Sequence, residues 1–286
     1  MAPVTTSTLM EGLTFAEAPR WHDGRLWFSD FFSHSVRSVA ADGSAPRHEA
    51  EVPGRPSGLG WLPDGRLLIV SMLDRTVARQ ETDGTLARHA DLSDRAPFNA
   101  NDMLVLPDGT AFVGHFGFDL DAYFDRKATP APASLLRVAP DGTVEGAAED
   151  LRFPNGMVLF STTLVVAETF GRRLTAFDVG PGGELTGRRE WASLERASPD
   201  GICGDAEGAI WVANASAPEC LRVAEGGEVL ERVATSQPCF ACALGGEDRR
   251  MLSCCTAPTS RADELIGREL ARIEVATVSV PGAGLP

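Results

Sequence analysis

Asp64-Gly65-Arg66-Leu67-Leu68-Ile69-Val70, followed by Asp83-Gly84, is the stretch that decides the fold. An Asp-Gly pair ahead of a short apolar run marks a tight hairpin, because primed turns need φ > 0. The signal recurs at Asp23-Gly24, Asp108-Gly109, Ser161-Thr162, Glu207-Gly208 and Glu247-Asp248. Apolar runs follow, such as Leu26-Trp27-Phe28, Ala111-Phe112-Val113, Leu164-Val165-Val166 and Ile210-Trp211-Val212. A second series trails the first by about nineteen residues: Asp42-Gly43, Asp83-Gly84, Asp141-Gly142, Gly182-Gly183, Gly226-Gly227 and, more weakly marked, Gly267. The third unit is longer, with an insertion of about fourteen residues within 117–133. Two turns in each unit of about 40–50 residues fit a propeller blade of four antiparallel strands. Six units predict an all-β, six-bladed β-propeller with a central tunnel, occupying 1–286 as a single domain. Leu9 to Leu13 precedes the first unit and is the expected closing strand. A β-sandwich does not account for six similar units.

Composition agrees. The 286 residues include 29 Gly and 19 Pro, and 43% are hydrophobic, enough for a core rich in turns. Net charge is −14 without a Lys/Arg run, which sets nucleic acid aside as a partner. No stretch reaches membrane-spanning length, and Met1 to Met10 lacks a basic-then-apolar leader. The expectation is a cytoplasmic chain, a monomer or small homo-oligomer, acting on a small molecule. Six cysteines, Cys203, Cys220, Cys239, Cys242, Cys254 and Cys255, crowd the last third and read as reduced thiols. Cys239-x-x-Cys242 has redox or zinc spacing, but without a second CxxC or a nearby His no metal role is expected for it. Trp21, Trp27, Trp61 and Trp211 recur on blade strands and read as core.

Aligning the units on their first turn exposes one column, six or seven residues ahead of it: Glu17, Ser57, Asn101, Asn155, Asp200 and Phe240. The phrase around it repeats, as Arg55-Pro56-Ser57-Gly58-Leu59, Phe153-Pro154-Asn155-Gly156-Met157 and Ser198-Pro199-Asp200-Gly201-Ile202. The column marks the start of each innermost strand, at the tunnel mouth. Symmetry therefore aims Glu17, Asn101, Asn155 and Asp200 at one another. Two carboxylates and two amides make a site for a hard cation, calcium first, with magnesium or manganese as alternatives. Single Asn-Gly or Asp-Gly pairs are ordinary turn residues. Four oxygen carriers in one column are a stronger signal.

These residues carry a family resemblance over nearly the whole chain. Phe15-Ala16-Glu17-Ala18-Pro19-Arg20-Trp21, Asn101-Asp102, Phe153 to Met157, Ser198 to Cys203, Asp205 to Ala213 and Val280 to Pro286 resemble the SMP-30/gluconolactonase/luciferin-regenerating family of six-bladed propellers. The resemblance implies one divalent cation, usually calcium, in the tunnel, and hydrolysis of a lactone. It implies Glu17, Asn155 and Asp200 as ligands, with zinc, manganese or magnesium as other possible ions. It makes Asn101 a substrate contact or a further ligand, and Asp200 the general base. Sugar-lactone members often carry Arg two residues before the Asn, where this chain has Asn99, so a charged clamp on a sugar-like substrate is not expected.

The reading that follows is a metal-dependent hydrolase of a lactone or related ester. The cation polarises the carbonyl, Asp200 takes a proton from water, and Asn99 and Asn101 orient the substrate or the oxyanion. Phosphotriester or epoxide hydrolysis on the same site and a non-catalytic ligand-binding propeller are the alternatives. His115, at the end of a strand before the insertion, is a second candidate for the base and for substrate contact. Within the insertion, Phe118 and Tyr123 are candidates to cover an apolar substrate. Phe98 and Phe170 also fall near ring positions, whereas His22, His34, His48 and His89 read as surface.

Overall fold

Six antiparallel sheets stand around one axis in the computed structural model, which describes residues 4–285. The innermost strands are Ala16–His22, Pro56–Trp61, Ala100–Val105, Pro154–Phe160, Pro199–Gly204 and Cys239–Gly245. Each packs on the inner strand of the next blade. Each blade then runs outward through the predicted hairpins. Gly65, for example, holds φ at +85° in the Asp64-Gly65 turn of blade 2. Blade 4 makes the same turn without glycine, by holding Ser161 at φ +53°.

The ring closes through blade 6. Its outer strand is Ser7–Leu13, paired antiparallel with Ala271–Thr277. The expected closing strand is therefore present, two residues longer at its start. The second turn assigned to Gly267 is not. Blade 6 takes its fourth strand from the N-terminal end of the chain, so no hairpin follows its third strand. Gly267 instead lies in the connection from Met251–Thr256 to Ala271–Thr277, which carries a short helix, Ala262–Leu265. Val4–Thr5 adds a parallel fifth strand to blade 5.

The C-terminal segment crosses the blades at the far end of the tunnel. Gly282 N donates to Arg249 O at 2.7 Å, Ala283 N to Gly204 O at 3.0 Å, and Leu285 exchanges backbone bonds with Leu159. Blades 6, 5 and 4 are thereby tied together on the face opposite the ring column. Pro286, the last residue of the family-like closing stretch, lies outside the described residues, as do 1–3.

The core fills the seams between blades rather than one central mass. Trp211 belongs to it and is fully buried, whereas Trp21, Trp27 and Trp61 are partly buried and pack against its edges. Trp61 carries the His22 ring stacked at 3.9 Å, so His22 is not free on the surface. No helix among the described residues is long and apolar enough to cross a membrane.

Candidate functional site

The ring column owes its direction to a break in strand pairing. In every inner strand the register with the second strand skips residues just after the strand begins. Pairing jumps from Glu17 to Arg20, Ala100 to Met103, Pro154 to Met157 and Pro199 to Ile202. Asn101, Asn155 and Asp200 fall inside these bulges and are released from the ladder. Their side chains reach the tunnel mouth and line one cavity together with Glu17 and Phe240. Ser57 is buried and does not line it.

The glycine after the column residue serves close approach rather than a turn. A Cβ on Gly156 would stand 2.5 Å from Ile202 N, and one on Gly201 2.6 Å from Ala241 Cβ. Blade 3 puts Asp102 in that slot, and its carboxylate turns to Arg20 of blade 1 at 2.7 Å. Arg20 also donates to Met103 O at 2.7 Å and Leu59 O at 3.2 Å. Three inner strands are thus held by one buried guanidinium.

The cavity holds about 590 Å³. Glu17, Asn101, Asn155 and Asp200, all buried, form its polar floor. Aromatic rings make much of the wall. Phe116 stacks on Phe153 at 4.5 Å, Phe118 meets Phe170 edge-on at 5.2 Å, and Phe240 meets Phe15 at 4.9 Å. A second ring lies two residues ahead of the first, as the two-residue period of extended chain requires. Phe15, Arg55, Asn99, Phe153, Ser198 and Pro238 all line the cavity. Asn99 brings no charge to this ring, as expected, and its one guanidinium is that of Arg55, one blade earlier and two residues before Ser57. Arg55 lies over Phe32, 4.9 Å from the ring centre, and its buried Nε has no partner among the described residues.

Electrostatics at the floor favour a cation. Asp200 Oδ1 is buried without a hydrogen-bond partner among the described residues. Burial, then the charges of Glu17 and Asp102, push its carboxyl well above the usual range, against the neighbouring Asn155 amide. Glu17 is pushed up to about 8, chiefly by burial, although the Ala18 N–H donates to it at 2.9 Å. Arg20, the nearby positive charge, is engaged by Asp102. Asn155 donates to Thr169 Oγ1 at 3.2 Å and Asn101 to Pro154 O at 3.2 Å. Donation through Nδ2 leaves both amide oxygens as acceptors. Two uncompensated carboxylates and two amide oxygens fit a hard divalent cation.

A pH dependence follows. Both carboxyls hold protons more tightly folded than unfolded. Without a cation, the stability this confers is fully present below the ordinary carboxylate pKa. It is lost as pH rises, for Glu17 through about 8. A cation competes with those protons. The rise in Tm produced by saturating calcium should therefore be larger at pH 8 than at pH 5 in thermal unfolding. An equal rise at both pH values would contradict this ligand set.

Of the three predicted site residues from blade 3's second strand and insertion, two stand away from the cavity. Phe118 lines the cavity, as expected. Tyr123 does not. It packs behind Phe118 and Phe170 at ring distances of 5.6 and 5.2 Å. His115 is buried and turned toward the third strand of its own blade. Its Nε2 accepts from Ser134 N at 3.1 Å and faces Ser134 Oγ at 2.9 Å, so Nδ1 carries the hydrogen and donates to Phe116 O at 2.9 Å. Burial lowers its pKa. With both nitrogens engaged outside the cavity, it is no base for this site.

Two connections roof the mouth. The blade 3 insertion folds a short helix, Leu120–Phe124, capped by the Asp119 carboxylate accepting from Ala122 N at 2.9 Å. The blade 6 connection, unforeseen in the sequence, contributes Pro258, Thr259 and Ser260 to the wall. They meet where Arg261 lies 5.5 Å over Phe124 and 3.4 Å from Asp125.

Residues 15–258 match the family described as SMP-30/Gluconolactonase/LRE-like region. The chain belongs to that family. Regucalcin of Danio rerio is 28% identical over 167 residues, 56% of this chain and 54% of that protein. The match thus spans about half of the relative's length. Regucalcin of Agrobacterium tumefaciens, described as a calcium-binding protein, superposes with a TM-score of 0.78 at 23% identity over 98% of this chain and 99% of that one. A gluconolactonase of Xanthomonas campestris superposes with a TM-score of 0.74 at 24% identity, over 95% and 89% of the two chains. At such identities the two superpositions show a shared propeller fold.

Proposed function

We propose that this chain is a cation-dependent hydrolase of a lactone or related ester with an apolar body. The observation that carries the reading is Asp200 Oδ1, a buried carboxylate oxygen without a partner among the described residues, on the floor of an open, aromatic-walled cavity. Family membership and the relatives described as calcium-binding or as a gluconolactonase support it. Glu17, Asn155 and Asp200 are the residues to hold the cation, calcium by the hardness of their oxygens. Such an ion, when bound, polarises the ester carbonyl and acidifies water.

The protein's own groups do the rest. Asp200 accepts the proton as water adds to the carbonyl carbon. The ring C–O bond then breaks, and Asp200 returns the proton to the departing alkoxide, giving a hydroxy acid. Asn101 has one N–H left after its bond to Pro154, and with Asn99 it faces the developing oxyanion. Arg55 reaches a second oxygen of the substrate. Phe116, Phe118, Phe153 and Phe170 hold the apolar part and exclude water.

A substrate panel tests this. With calcium present, alkyl- or aryl-substituted lactones should be hydrolysed with kcat/KM at least tenfold above that for polyhydroxylated aldonolactones. Phe118→Ala should raise KM for the apolar lactones and leave kcat little changed. Turnover confined to phosphotriesters or epoxides, or absent throughout, would defeat the assignment.

A further inference from the structure

Five of the six cysteines meet at one seam. Cys203 comes from the inner strand of blade 5 and Cys220 from its third strand, Glu219–Val223. Cys239 and Cys242 come from the inner strand of blade 6, and Cys254 from its second strand. All are at most 5% exposed and pack in one cluster with Trp211, Val233 and Leu252. A spacing of three puts side chains on opposite faces of a regular strand. Here the register shifts between Cys239 and Ala241. Cys239 then pairs with Thr256 and Cys242 with Cys254, two residues apart on the neighbouring strand, so both cysteines share a face. Cys255 points the other way, into a different cluster.

Ordinary packing does not call for thiols at these positions. The pair Cys242–Cys254 stands where blades 2 to 5 pair Leu59–Ile69, Met103–Val113, Met157–Val166 and Ile202–Val212. The Sγ atoms of Cys220, Cys239 and Cys254 lie within 4.8 Å of one another. Cys242 Sγ lies outside that group, 3.8 Å from Cys203 Sγ and 3.4 Å from the Trp211 carbonyl oxygen. Two thiolates on one tetrahedral zinc stand about 3.8 Å apart, given Zn–S near 2.3 Å.

We propose that Cys220, Cys239 and Cys254 form a second metal site, with Cys242, on the same strand face as Cys239, turning in as the fourth ligand; it binds one zinc-class, thiophilic cation and pins blade 6 to blade 5. The all-sulfur donor set rejects the hard ions that suit the tunnel's oxygens, so the two sites sort metals by ligand chemistry. Zinc binding releases the thiol protons. The seam adjoins the blade that closes the ring, where a cross-link opposes opening most directly.

Refolding the full chain with one equivalent of cobalt under reducing conditions tests the site, because thiolate-to-cobalt charge-transfer absorption marks sulfur ligands and the oxygen site gives none. One cobalt per chain with that absorption is expected in the wild type and in Cys255→Ala, and its loss in Cys220→Ala and Cys254→Ala. Absence of the band in refolded wild type, or its persistence in both cluster variants, overturns the proposal. If refolding fails, elemental analysis of native protein expressed with added zinc decides. One zinc per chain that survives a calcium chelator and is missing from Cys254→Ala supports the site, and no zinc overturns it. So does a Cys203–Cys242 disulfide without metal, seen as four rather than six reactive thiols in denaturant.

Discussion

Asp200→Asn is expected to cut lactone hydrolysis by about 10²–10⁴-fold, the usual worth of a positioned general base. The same change should raise the melting temperature of calcium-free protein at pH 8. The two signs have one cause. Without a cation the folded protein must bury the Asp200 carboxyl either charged or at the cost of taking up a proton, and its Oδ1 has no hydrogen-bond partner among the described residues. Asn keeps the volume and removes the charge, so the fold gains what the reaction loses. Active-site groups that favour chemistry at the expense of stability behave this way. Steady-state kinetics at saturating calcium and thermal unfolding in chelator would measure the two halves. Retained turnover would remove Asp200 from the chemistry. A lower melting temperature in calcium-free protein would mean that its charge is already compensated.

Arg20→Met is expected to cost about 3–5 kcal/mol, because it leaves the Asp102 carboxylate buried and unpaired. The loss extends beyond the ion pair, since the guanidinium also caps Leu59 O and Met103 O. Arg20→Met combined with Asp102→Leu should recover a large part of the loss, since an apolar pair of similar volume often replaces a buried ion pair at little cost. Urea unfolding of the two variants would report it. A cost below about 1 kcal/mol for the single change would show that Asp102 finds water or another partner, and that this pair does not hold blades 1 and 3 together.

The fold was legible because repetition multiplies weak signals. One Asp-Gly pair says little, but two series in step across six units predict six blades. The polar floor was legible for the same reason, and Glu17, Asn101, Asn155 and Asp200 do line one cavity. What stayed hidden depends on breaks in the repeat's own period. The bulges that free Asn155 and Asp200 insert residues without a composition signature. His115 reads as a strand end near the mouth, yet its direction follows from pairing with Ser134 that no local pattern announces. Arg55 and the rest of the second ring were within reach, two residues ahead of the first in every copy. Asp102 was visible too, as a charge where other copies place glycine. The cysteine cluster needed the same alignment carried one strand further, where Cys254 replaces the valines and isoleucine of other blades.

The central claim is a catalytic cation on Glu17, Asn155 and Asp200. The most direct measurement is hydrolysis of an apolar lactone by wild-type protein before chelation, after it, and after calcium alone is restored. The account predicts loss of turnover on chelation and full return with one calcium bound per chain, without any thiophilic metal added. Turnover indifferent to chelation, or restored only by zinc, would contradict it.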